Sequence, residues 1–150
     1  MPNKSDIDRL HRLALIRDAY TRVAEARVKE TEGQVRDIER QNEQIVRNIQ
    51  VAQAEFAERE TVSGKEIQQN DNYLNSLLRN RKIVLQSLEK ARATLDQRRA
   101  AWVETRREQR IVDRLEARRL QEWRREQEIE LQKFVNDVFI GRMVRSRLQE

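Results

Sequence analysis

From Ile7 to Phe56 the chain returns to one face at alternating steps of three and four: Ile7, Leu10, Ala14, Arg17, Thr21, Ala24, Val28, Thr31, Val35, Ile38, Asn42, Ile45, Ile49, Ala52 and Phe56. Eleven of these fifteen positions are apolar, in a chain whose hydrophobic content is 37%. A 3.5-residue period sustained this long predicts a coiled-coil helix of about 55 residues, because a helix keeps so narrow a stripe dry only against a partner helix. Three glycines and one proline in 150 residues leave few places to turn. Ala, Glu, Gln, Arg and Leu dominate, and all are strong helix formers. At 38% charged residues the chain would default to disorder without this spacing. With it, the expected class is all-α, with long helices burying a seam instead of a globular core.

A second apolar stripe, Leu13, Ile16, Tyr20 and Val23, runs beside the seam near the start. It makes the N-terminal third apolar over a wider arc than a two-helix pair requires. The stretch ERETVSGKEIQQNDNY then breaks the pattern. Thr61, Val62, Ser63 and Gly64 are weak helix formers, and Asn70, Asp71 and Asn72 compete with helix by bonding nearby backbone. The spacing therefore predicts a helix over about 5–60, a turn region over about 60–72 and a second helix over about 73–147, in a single coiled-coil domain. Gly33 lies inside a strong pattern and reads as a tolerated helical glycine costing about 1 kcal/mol.

The second helix repeats the seam as Ile67, Asn70, Leu74, Leu77, Arg81, Val84, Leu88, Ala91, Leu95, Arg98 and Trp102, eight of eleven apolar. The seam blurs over 103–119 and resumes through Leu120, Gln127, Leu131, Phe134 and Val138; such a slip marks a change of partner or supercoil. Two seams joined by one short break favour an antiparallel coiled-coil hairpin, second helix longer, over a parallel dimer of continuous helices. A reversal between 62 and 70 sets residue 7 opposite roughly 117–133, so the second helix overhangs the first by about 15–30 residues. ELQKFVNDVFIGRMV (130–144) falls in or beside that overhang. Its Leu131, Phe134, Val135, Val138 and Phe139 form an amphipathic face that needs a cover: the N-terminal stripe of the same chain, or a protein partner.

The chemistry of catalysis is missing. There is no cysteine, and His11 is the only histidine, so neither a disulfide framework nor a zinc set is expected, and His11 reads as solvated. Glycines at 33, 64 and 141 build no phosphate-cradling loop. No catalytic residue, cofactor or metal is expected. No apolar run approaches the roughly 20 residues that span a bilayer, and MPNKSDIDR does not open a signal peptide, so a cytoplasmic location is expected.

The net charge of +5 is uneven: residues 1–75 hold 12 Lys/Arg against 14 Asp/Glu, and residues 76–150 hold 19 against 12. Within 98–125, ten arginines meet five acids. Glu104, Glu108, Asp113, Glu116 and Glu122 interrupt that run at helical spacing. A net +5 over 28 residues is modest for phosphate binding, so a solvated ion-pair face or an acidic protein partner is favoured over nucleic acid. Asp137 and the shortness of the C-terminal stripe argue against a membrane-surface helix.

The run RIVDRLEARRLQEWRREQEIELQKFVNDV resembles the C-terminal signature of the FliJ family, coiled-coil stalks of the flagellar export ATPase complex. Val112, Asp113, Arg114, Leu115 and Arg118 stand at its first element, Glu122 and Trp123 at its Glu-Tyr, Gln132 and Lys133 at its Gln-Lys, and Asn136 and Asp137 at its Asp-Glu. Leu13, Ile16 and Arg17 are similar to the family's opening motif. Ala117 and Asn136 depart from the family's acids, and the end of the chain is more apolar. The injectisome type III secretion stalk, a sibling of the same architecture, stays open, as does a generic coiled-coil tether or basic-helix nucleic-acid binder.

The resemblance implies a monomeric central stalk standing in the pore of a hexameric export ATPase. Such a stalk promotes assembly and activity of the ring and couples it to the cytoplasmic linker of the membrane export-gate protein, at the inner face of the cell membrane. Whether it also escorts other export chaperones stays open. The end carrying both termini is implied to enter the ring, with Leu13, Arg17, Gln132, Lys133, Phe134, Asp137 and Phe139 as contacts and Arg114 and Arg118 supporting. Tyr73, Leu74, Leu77 and Leu78, near the turn, are the implied gate contacts, although Leu77 also lies on the seam.

Overall fold

The computed structural model describes residues 3–149. Among them are two helices, α1 (Lys4–Ala57) and α2 (Gly64–Leu148), running antiparallel as a hairpin with the second longer. All fifteen α1 positions named above are buried or half-buried, whereas Leu13, Ile16, Tyr20 and Val23 are exposed. The narrow 3–4 stripe decides which face of α1 is covered. On α2 the same holds from Asn70 to Trp102, except that Arg81 is exposed. Ile67, at the start of that seam, is exposed too.

The break is narrower than the turn region expected over 60–72. Helix resumes at Gly64, so Asn70, Asp71 and Asn72 lie inside α2 rather than in a loop. The cause is a cap. Ser63 Oγ accepts the Glu66 N–H at 3.2 Å and the Ser63 carbonyl accepts the Ile67 N–H at 3.1 Å. An N-cap of this kind is worth about 1 kcal/mol, and once a first turn exists each added residue needs only its own helical bond. Burial of Asn70 in the seam overrides its turn preference. Arg59 reaches across the connection to Glu66 at 3.5 Å. Asn3 caps α1 in the same way, its Oδ1 accepting the Asp6 N–H at 2.8 Å.

Contacts divide the chain into two compact units. One is Val23–Val103; the other combines the described residues up to Arg22 with those from Glu104 onward. In the first unit, Val28, Val35, Leu88 and Leu95 form the buried cluster, with Ile38, Ala91 and Trp102 packed against it. Each buried Val or Leu contributes roughly 1.5–3 kcal/mol. Flanking pairs Arg99–Glu32 (3.3 Å) and Arg92–Glu39 (3.2 Å) bridge the two helices there. In the second unit Thr21 occupies a core position by donating its hydroxyl to the Arg17 carbonyl at 3.0 Å. Thr31, in the first unit, donates to the Arg27 carbonyl at 2.8 Å. A threonine that bonds one turn back hides its polar atom and leaves its methyl for packing.

Candidate functional site

The unit containing both ends of the chain is built by a short stretch of α1 against α2. Arg17 pairs with Glu108, Gln109 Nε2 donates to Asp18 at 3.1 Å, and His11 Nδ1 lies 2.7 Å from Glu116 Oε1. From the Asp18–Gln109 pair to the His11–Glu116 pair, residue numbers fall by seven on α1 as they rise by seven on α2. Continuing from His11 and Glu116 brings Lys4, the first residue of α1, level with position 123 (11 + 116 − 4). Burial follows that limit. Trp123 and Glu126 are half-buried, and every residue from Gln127 to Ile140 is exposed.

The overhang is therefore real and uncovered. Leu131, Phe134, Val135, Val138 and Phe139 remain 40–64% exposed, and Ile140, Met143 and Val144 extend the apolar surface. Leu13, Ile16 and Tyr20 are 40–58% exposed, so the N-terminal stripe does not cover the C-terminal face.

The residues singled out from sequence fall into separate groups. Arg17 is half-buried and engaged with Glu108, which orders its guanidinium beside α2. Leu13 stands one turn away, exposed. Arg114 and Arg118 are exposed on α2 at this level, four residues apart and so on one helix face, with no ion pair among the described residues. Gln132, Lys133, Phe134, Asp137 and Phe139 are all exposed on the overhang. Position 132 lies sixteen residues past Glu116, about 25 Å along the helix at 1.5 Å per residue. The structure thus places an arginine-bearing collar and an apolar extension in succession along α2, not one compact patch.

In the other unit, Tyr73 and Leu78 are exposed, Leu74 is half-buried and Leu77 is buried in the seam. Of the four, only Tyr73 and Leu78 are exposed, each about half. Ile111 in the collar and Ile83 near the turn-side seam are exposed as well. Both are apolar residues off the 3–4 stripe, which is the signal that would have marked them. His11, read as solvated, is mostly exposed yet bonded to Glu116, a partner 105 positions away that no local pattern reveals.

No group of histidine, cysteine or carboxylate side chains that could hold a metal is present among the described residues. None of their helices is long and apolar enough to cross a membrane.

No curated protein and no solved structure matches the chain. The model of one family, described as the flagellar FliJ protein, matches residues 6–146. That span takes in nearly all of both helices, the capped connection, the arginine collar and most of the apolar extension. The chain belongs to the flagellar FliJ family.

Proposed function

We propose that this protein is the central stalk of a flagellar type III export ATPase complex, with no catalysis of its own. Membership of the FliJ family ties it to flagellar protein export. The observation that carries the finer reading is the overhang: α2 continues past the start of α1 with its whole circumference in solvent and five large apolar side chains on one face. A soluble protein that leaves such a face bare has a partner for it. A single helix is narrow enough to enter a pore that a helix pair fills further along.

In this reading Phe134 and Phe139 anchor the segment inside the hexameric ATPase ring, with Gln132, Lys133 and Asp137 beside them. Leu13 and the Arg17–Glu108 pair meet the ring's rim, and Arg114 and Arg118 face acidic side chains there. Binding promotes assembly and hydrolysis by the ring. Tyr73 and Leu78 form the contact for the cytoplasmic linker of the export-gate protein, while Leu74 and buried Leu77 hold that segment in place from the seam. The stalk acts as a monomer at the inner face of the cell membrane and does not engage nucleic acid.

The test is the double variant Phe134→Ala/Phe139→Ala. Both side chains are exposed, so circular dichroism should be unchanged, while stimulation of the cognate ATPase should fall to the unstimulated rate. Full stimulation by the variant would remove this assignment.

A further inference from the structure

The exposed overhang changes the sign of its charge halfway along. Its first half, residues 127–137, carries Lys133 against Glu128, Glu130 and Asp137, a net of 1 − 3 = −2. Its second half, residues 138–148, carries Arg142, Arg145 and Arg147 and no acid, a net of +3. A helix that is acidic and then basic attracts a copy running antiparallel and repels one running parallel. A partner of uniform charge would satisfy only one half.

Side-chain size follows the same order. The 3–4 seam through Gln127, Leu131, Phe134 and Val138 continues to Gly141 and Arg145. An antiparallel copy aligned so that Phe134 meets Val138 of the second copy also sets Leu131 against Gly141 of the second copy. Apart from the backbone of its own helix, nothing lies within 4 Å of the place a Gly141 Cβ would take, so the leucine meets an open hole. In this register Glu128 comes beside Arg142 of the second copy and Glu130 beside Arg145 of the second copy.

We infer that two copies of this chain pair antiparallel through residues 127–148, and that pairing and ring entry exclude one another. The second clause rests on the stalk reading, because it uses the same face; the first does not. The segment is already helical within α2, so pairing carries no nucleation cost. Three heptads are a short interface, and Asp137 meets its own copy at the two-fold axis. Both keep the pair readily reversible, as a reserve form of a stalk must be.

Sedimentation velocity of the full chain, from low micromolar to near-millimolar concentration, should show a dimer that forms with concentration. Glu128→Arg with Glu130→Arg should weaken it about tenfold or more, and adding Arg142→Glu with Arg145→Glu in the same chain should restore it. These positions are exposed, so helicity serves as the folding control. The chain has no cysteine, so direction is readable by disulfide trapping. Gln127→Cys mixed with Arg145→Cys should cross-link faster than either alone. A chain monomeric throughout, a dimer indifferent to the charge changes, or self-linking of Gln127→Cys would overturn the pairing. The disulfide-linked dimer should fail to stimulate the ATPase and recover on reduction; stimulation by the linked dimer overturns the exclusion. Reduced chains that pair as expected yet never stimulate would sink the stalk reading and leave the pairing standing.

Discussion

Single residues in this hairpin are decided by which face of the helix they occupy. Asn42 is on the seam with its Oδ1 buried and no hydrogen-bond partner, which costs on the order of 1–3 kcal/mol. A polar residue at a core position penalises slipped registers, which is the best-attested use of such a side chain in coiled coils. Gly33 is the opposite case. It sits inside α1 with no positive φ, and a Cβ there would meet nothing within 4 Å. Gly33→Ala should raise the free energy of unfolding by about 0.5–1 kcal/mol, through the glycine's larger loss of backbone freedom on folding. Urea unfolding followed by circular dichroism measures it. A loss of stability would show that the glycine serves a close approach the structure does not contain.

At the scale of elements, the two helices differ in what holds them. Residues 28–38 of α1 and 88–95 of α2 are held by the buried cluster and its flanking ion pairs. The last part of α2 has only its own backbone bonds, because no residue of 127–140 is covered. A helix without tertiary burial opens by fraying and stays marginal in water. Amide hydrogen exchange at a concentration below that of self-pairing should therefore show protection over 127–148 about 100-fold or more below that of the cluster. Equal protection in both regions would mean that something covers the overhang even in the lone chain. Ser63 explains the other surprise at this scale. Its cap starts α2 at Gly64, ahead of the Asn-Asp-Asn run that the local composition assigns to a turn.

For the whole molecule, stability comes from the seam more than from the many charges. Among the ion pairs, most side chains are more than a third exposed. Exposed pairs contribute about 0–1 kcal/mol each and are screened by salt. Raising sodium chloride from low to about half-molar concentration should move the melting temperature by less than about 4 °C, the equivalent of roughly 1 kcal/mol. A fall well beyond that would make the cross-helix pairs Arg17–Glu108, Glu32–Arg99 and Glu39–Arg92 a principal source of stability. Self-pairing of the overhang, driven by charge order, should by contrast weaken visibly in the same titration.

The amino-acid order alone determined the class, the antiparallel hairpin, the longer second helix and the covered face of α1, down to polar members such as Thr21, Thr31 and Asn42. A 3–4 repeat carries its own geometry, since helical period and burial are properties of neighbours along the chain. The resemblance through Arg114, Gln132, Lys133 and Asp137 pointed to the family that the match over residues 6–146 shows. Tertiary structure decided the rest. The level at which α1 stops covering α2, the binding of His11 to Glu116, the burial of Leu77 beside exposed Tyr73 and Leu78, and the bare state of Phe134 and Phe139 all depend on how two distant stretches align. That alignment is set by the length of the connection and the cap that ends it. No window of sequence contains both helices at once.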